Sequence, residues 1–317
     1  MIKKYILLLL SVIFIGNISF AQGDADLTQR WFNEMLYNPA ATGNSYTTSI
    51  FMHARQQWVG VTGAPSTQAI TADSYLDKIN SGIGITVMRD EIGNITSAFN
   101  VRLNYSYHLQ LTEMSFISLG ISGGILSRNR DINSAIAGDR YDPDLAYGNA
   151  SEISPDFDFG VEYRGPLKIG VAIKHFGVNK NKDFFANTEN IWAYASSRIN
   201  TGGSMSIEPA AAFVYRNKST RYEVGALFYF LKMAQQYEYN DRFWVGGMFR
   251  FNKEFALMAG VIITPKIRLG YSFAYGFGSF KSLSRFGTHE LFFAWQFNRL
   301  FYKEPLCPAY KNYDRRR

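Results

Sequence analysis

One cysteine, Cys307, is too few for an intrachain disulfide, so this 317-residue chain is held by pairing and packing rather than by covalent bridges. Long apolar runs are equally scarce. Beyond residue 15 none approaches the ~20 residues that a membrane helix requires, which excludes a helical bundle in lipid. No stretch rich in Pro, Ser or Gly and no run of charge divides the chain, so nothing marks a linker between two domains. Four histidines, His53, His108, His175 and His289, stand on separate segments without metal-ligand spacing. The formal charge of +7 is not gathered into a basic cluster interleaved with stacking aromatics, which excludes an obvious nucleic-acid surface.

What the chain has instead is aromatic surface: 16% of residues, 26 of them Phe and 20 Tyr, at a mean hydropathy of −0.14. So much aromatic area without a spanning helix can be hidden by alternation. The first residues are a separate matter. Lys3 and Lys4 precede an apolar run from Tyr5 to Ile15, and Ser19-Phe20-Ala21 places small residues at the −3 and −1 positions. These are the marks of a signal peptide cut before Gln22, too short to serve as a membrane anchor. The expected division is residues 1–21 signal peptide, 22–45 a periplasmic segment or plug, 46–298 a barrel, and 299–317 a periplasmic tail.

Strict period-two alternation recurs along the barrel segment. Between Ile95 and His108, Phe99, Val101, Leu103, Tyr105 and Tyr107 share one face, while Asn100, Arg102, Asn104, Ser106 and His108 share the other. Ile267, Leu269, Tyr271, Phe273 and Tyr275 repeat the pattern, as do Phe157, Phe159, Val161 and Tyr163. In the last segment Leu291, Phe293, Trp295 and Phe297 alternate with polar or small residues, with Phe292 the exception. A soluble sandwich also alternates, but strands of ~9–11 residues with aromatic ends suit a membrane barrel. Charges such as Arg102, Asp158, Glu162 and Lys174 then belong to a polar lumen. The expected fold is all-β: a transmembrane antiparallel barrel of about fourteen strands. Their starts lie near Tyr46, Ser66, Ser81, Ile95, Met114, Ile153, Leu167, Asn190, Met205, Thr220, Asp241, Glu254, Lys266 and Thr288. An even count puts both termini in the periplasm, with short turns there and long loops outside. The connection Leu231–Asn240 is the misfit, being long on the periplasmic side.

Some residues are not explained by periodicity. Tyr37-Asn38-Pro39-Ala40-Ala41-Thr42-Gly43 is followed by Gln56-Gln57-Trp58-Val59-Gly60, then Gly63-Ala64-Pro65 and Thr67-Gln68. Gly270-Tyr271-Ser272-Phe273 and Gly287-Thr288-His289-Glu290-Leu291 come near the end. In this order the motifs resemble the PorP/SprF family of type IX secretion and gliding-motility proteins. Phe273 stands where that family often has Tyr, and Thr288 where it often has Ser. The resemblance implies an outer-membrane component of the type IX machinery in a Bacteroidetes-type bacterium; the residues themselves mark no catalytic site, and no cofactor is expected. It also implies partners: a secreted adhesin or the C-terminal domain of type IX cargo, other secretion or gliding components, and outer-membrane lipid. A passive porin or hydrophobic-solute channel is the alternative.

Candidate partner-binding residues follow from the breaks in the pattern. Tyr37, Asn38 and Pro39 end a segment, Leu27–Leu36, whose Leu27, Trp31 and Met35 have helix-compatible spacing; it plugs the lumen, contacts a periplasmic partner or simply caps the base, and capping is favoured. Trp58, Gly63, Ala64 and Pro65 form the first external hairpin, either a tight shaped turn or a platform for a partner. Tyr141, Tyr147, Phe184 and Phe185 lie on the longest external loops, where exposed aromatics anchor interfaces. Asp139, Asp142, Asp144 and Glu152 lack the spacing of a calcium loop and read as solvated acids, so no metal is expected. His289-Glu290 lacks a nucleophile and an orienting group, so a structural hydrogen bond in the lumen is expected for His289 rather than catalysis.

Overall fold

Where side chains alternate oily and wet over ten or more residues, the backbone extends and pairs, and here the pairing runs round until it meets itself. The computed structural model describes residues 26–45, 47–93, 95–131, 149–176, 189–201, 204–216, 219–233, 239–278, 281–282 and 286–297. Its strands are β1 (Thr48–Gln56), β2 (Ser66–Leu76), β3 (Ser81–Ile92), β4 (Thr96–Thr112), β5 (Ser115–Arg130), β6 (Ala150–Arg164) and β7 (Lys168–Phe176). They continue as β8 (Asn190–Ser196), β9 (Ile199–Asn200), β10 (Met205–Arg216), β11 (Ser219–Met233), β12 (Tyr239–Arg250), β13 (Glu254–Thr264), β14 (Ile267–Gly276) and β15 (Thr288–Phe297). Each pairs antiparallel with its neighbours.

The first and last strands make the seam, Thr48 opposite Phe297 through Gln56 opposite His289. Among the described residues every strand except the two-residue β9 is paired on both sides, the condition that hydrocarbon imposes on any sheet crossing it. The fifteen strand elements form fourteen staves, because the two-residue β9 lies beside β10 below β8 and continues its line. The expected count of about fourteen is borne out, and most strand starts fall within a few residues of those expected. The long connection expected at Leu231–Asn240 shortens, because β11 runs to Met233 and β12 begins at Tyr239.

The two faces separate as the alternation requires. On β4, Arg102 is 1% exposed and faces the lumen, whereas Leu103 is 66% exposed on the outside. The outward belt carries Phe99, Ile121, Phe159, Leu257, Leu291 and Trp295 among others; the inward face carries Asp158, Glu162, Arg164 and Lys174. This is the inverse of a soluble protein, and it is stable because the solvent outside is lipid. Phe292, the residue out of pattern, lies inside at 2% exposure, stacked on Phe32 with ring centroids 5.3 Å apart. Long loops mark the external end of the barrel and short turns the periplasmic end.

Candidate functional site

The lumen is filled by the chain segment before β1. Residues 26–45 form three short 3₁₀ turns, Arg30–Phe32, Glu34–Leu36 and Pro39–Ala41, joined by tight bends. Two expectations are corrected here. The spacing of Leu27, Trp31 and Met35 does not make a continuous helix, and the segment does not merely cap the base. Asn33 interrupts the first two turns with an extended-like backbone, and its amide is spent on the wall: Nδ2 donates to Thr71 Oγ1 at 2.9 Å and lies 3.1 Å from His53 Nε2. Asn38 restarts the third turn by accepting from the Ala40 N–H at 3.0 Å, with Pro39 at the first helical position.

The plug begins near the external end. Asp26 sits in a fork of Arg221, with Arg221 Nη2 donating to Oδ1 at 2.6 Å, and Lys253 Nζ approaches to 3.2 Å. Such bidentate, charge-assisted pairs are strong where water is excluded. Burial alone would raise the Asp26 carboxyl, but Arg221, Lys253 and Arg250 outweigh it and hold the group well below the usual carboxylate range. One turn further in, Glu290 of β15 accepts both the Thr28 N–H (2.6 Å) and the Gln29 N–H (2.9 Å), and Arg55 Nη1 reaches Glu290 at 3.2 Å and Thr28 Oγ1 at 2.7 Å. Arg30 pairs with Glu223, its guanidinium 5.0 Å from the ring of Trp31 and 5.3 Å from that of Trp192.

The segment then descends to the periplasmic end, where Glu34 pairs with Arg164 and Lys168. Burial raises this carboxyl too, and the two cations more than reverse it. The chain turns back, so that the Tyr37 hydroxyl accepts from the Leu27 N–H at 2.9 Å; burial, then the Asp26 charge, raises the phenol above its ordinary value. Asn38 Nδ2 donates to the Val161 carbonyl (3.2 Å) and the Tyr194 hydroxyl (3.1 Å). Here the wall is notched. Gly120 and Gly160 face each other across β5 and β6, and a Cβ on either would overlap Asn38, Pro39 or Ala40. The plug leaves past Asp73, which accepts from the Gly43 N–H at 2.7 Å, and Glu162, which accepts from Asn44 Nδ2 at 2.5 Å.

Of the residues singled out in the sequence, Tyr37, Asn38 and Pro39 are therefore buried in the plug and present no surface to an outside partner in this structure. Trp58, Gly63, Ala64 and Pro65 lie on the first external turn. Trp58 (φ +42°) and Gly63 (φ +73°) adopt left-handed backbone, and the turn is tied to the last external loop by Val59 N–H donating to the Gly287 carbonyl at 2.9 Å. Tyr141, Tyr147, Phe184 and Phe185 lie outside the described residues, as do Cys307 and the acids Asp139, Asp142 and Asp144. Two further expectations are corrected. Glu152 is no loop acid but a lumen residue of β6 paired with Arg128 at 3.3 Å. His289 does not hydrogen-bond in the lumen: it lies on the outer face, its Nδ1 2.7 Å from the Tyr271 hydroxyl, while the adjacent Glu290 turns inward.

One group has metal-like geometry that its sequence spacing hides: the ligand atoms of Asp156, Asp158 and His175 lie within 4.8 Å of one another. Arg102 already compensates these carboxylates, 2.5 Å from Asp158 and 3.9 Å from Asp156. The cluster is a closed ion-pair network of the wall.

The solved structures similar to this one are barrels of the outer membrane. The Ralstonia pickettii toluene transporter TbuX aligns with a TM-score of 0.50 at 10% identity, covering 84% of this chain and 93% of that one. The Acinetobacter baumannii outer membrane protein Omp33 aligns at 0.46 and 11% identity, covering 80% and 98%. At such identity the TbuX likeness is one of fold. No curated protein matches the sequence. The profile of the type IX secretion system membrane protein PorP/SprF, however, matches residues 19–295, from before the plug to the last strand. An outer-membrane barrel whose plug and strands fall within that match, all but the last two residues of β15, belongs to the PorP/SprF family of type IX secretion system membrane proteins.

Proposed function

We propose that this barrel works by docking rather than by conduction or turnover: it binds a secreted adhesin, or the C-terminal domain of a type IX cargo, at its external end, and other components of the machinery from the periplasm. The observation that carries this reading is the plug. A segment fixed by buried ion pairs at both ends of the lumen, Asp26 with Arg221 above and Glu34 with Arg164 below, occupies the path a solute would take. Removing one partner of such a pair costs ~3–5 kcal/mol, so the plug is not a casual obstruction. The residues assigned to the external contact are Trp58, Gly63, Ala64 and Pro65 on the first turn, with Tyr141, Tyr147, Phe184 and Phe185 on the long loops. Aromatic side chains on loops above a rigid wall supply large contact area at small entropic cost.

The test is recovery of the tagged barrel from native outer membranes. Co-purification of a secreted adhesin or a type IX component, lost when Trp58, Phe184 and Phe185 are replaced by Ala, is the expected result. A barrel recovered alone, or surface proteins unchanged after deletion of its gene, refutes docking. The rival, a porin or hydrophobic-solute channel, predicts steady conductance of the intact protein in planar bilayers; docking predicts none until the plug is removed.

A further inference from the structure

The periplasmic end of the barrel is not flush. Beneath the plug lies an open cavity of about 620 Å³, roofed by Trp31, Phe32 and Met35 with Phe51 and Phe116 of the wall beside them. Most charges around it are matched: Lys168 lies with Glu34 and Glu208, and Arg198 with Asp241. Arg164 also pairs with Glu34, and with Arg268 counted among the lining cations the lining acids Glu34, Asp73, Glu113, Glu208 and Asp241 still outnumber them by one. Asp73 meets only the Gly43 N–H, and Glu113 has no cation within ion-pair distance among the described residues. An apolar roof and unbalanced negative charge at the rim describe the ligand: extended chain carrying aromatic and basic residues.

We propose that this cavity seats the chain's own C-terminal segment, residues 298–317. The segment starts in the right place, since β15 ends at Phe297 on the periplasmic side and the preceding Gln296 lines the cavity. It has the right chemistry. Phe301, Tyr302, Leu306 and Tyr310 suit the roof, and Arg299, Lys303, Lys311 and the terminal Arg315-Arg316-Arg317 outnumber Glu304 and Asp314, giving the excess of positive charge that Asp73 and Glu113 lack. It also has the reach. A ring of fourteen strands is on the order of 28 Å across, from a strand spacing of ~4.8 Å and a tilt of ~40°. The link from Phe297 to Cys307 extends to ~33 Å at ~3.3 Å per residue. Residue 307 can therefore arrive at the far wall, where Ser197 and Asn200 line the cavity between β8 and β10.

Cys307 makes the proposal testable in the full-length chain. Ser197→Cys places a thiol on the far wall. Lys78→Cys places one on an exposed turn at the same end, outside the cavity and closer round the ring to the point where the segment emerges. Intact outer membranes are treated with diamide, which oxidises two thiols to a disulfide, and the product is read on non-reducing gels and by mass spectrometry of the linked peptide. A seated segment gives the 197–307 link at least tenfold faster than the 78–307 link, and Asp73→Asn with Glu113→Gln slows it at least threefold. A free segment gives a 78–307 link as fast or faster, and that result overturns the proposal. Capture of a different polypeptide by the thiol at 197 overturns it too, because a periplasmic partner then holds the cavity. An unchanged rate in the neutralised variant also counts against it. Asn200→Cys repeats the measurement from a second wall position should the turn at 197 not tolerate change, with unheated gel migration confirming a folded barrel in each case.

Discussion

Glu290 is the residue whose loss separates the plug from the wall most directly. Its two carboxylate oxygens satisfy the backbone N–H groups of Thr28 and Gln29, and one of them also receives Arg55. Glu290→Ala leaves two buried donors unsatisfied, at ~1–3 kcal/mol each. It also leaves Arg55 with Glu254 as its remaining acidic partner, at 3.3 Å. The barrel itself keeps every backbone pair of β15, so the penalty of about 3–5 kcal/mol falls on plug seating rather than on the fold. Glu290→Gln keeps an acceptor for one N–H and loses the charge, so it ranks between Ala and the native residue. At ~1.4 kcal/mol per factor of ten, Glu290→Ala raises hydrogen exchange at Thr28 and Gln29 by about 10²-fold or more. Exchange in β4 and β5 stays unchanged, and transient conductance appears in planar bilayers. Native-like protection of Thr28 and Gln29 in Glu290→Ala would refute the reasoning, because the contacts would then carry no seating energy.

Three further outcomes follow from the same geometry. Gly120→Val puts side-chain atoms where Asn38–Ala40 pass, so the barrel folds with its plug displaced; protease cleavage within residues 26–45 rises at least tenfold, and cleavage equal to that of the native chain would refute the fit. Acidification releases the plug only at low pH. Asp26 and Glu34 are both depressed when folded, so their anchoring is complete above the free carboxyl values of ~3.9 and ~4.3 and is lost as pH falls through the lower folded values. Trp31 fluorescence should thus be flat from pH 8 to about pH 5 and change below it; a transition near neutrality would be incompatible. Leu103→Arg, on the lipid face of β4, costs ~2–4 kcal/mol near the bilayer midplane in denaturant unfolding from lipid vesicles, although the adjacent Arg102 is native; a neutral Leu103→Arg would mean that this face does not meet lipid.

The wall was legible because its cause is local. A side chain's face is set by its parity along the strand, so Phe99, Val101 and Leu103 declare one side without knowledge of their neighbours. Even the exception at Phe292 carried information: an aromatic on the wet face marks the place where something apolar, here Phe32, meets it from inside. The plug was not legible in the same way. Its contacts join residues 262 and 195 positions apart, Thr28 with Glu290 and Asp26 with Arg221, and no periodicity records them. The helix-like spacing of Leu27, Trp31 and Met35 misled for a physical reason. Asn33 and Asn38 spend their amides on wall and backbone, and in a lumen lined by fixed acceptors those bonds outweigh continuous helix. The Asp156, Asp158 and His175 grouping was hidden likewise, because strand pairing rather than spacing brings β6 and β7 together.

The seam between β1 and β15 has a consequence in time. It joins nearly the earliest described residues to the latest, so the ring closes only after the whole polypeptide has arrived. Partners of the plug are spread round the wall, on β1, β2, β4 to β8, β11, β12 and β15 among the described residues, and the last of them, Glu290, belongs to the strand that completes the circle. A chain halted before residue 288 lacks both the sealed wall and the Glu290 anchor of the plug, which makes the final strand the signal that assembly is finished.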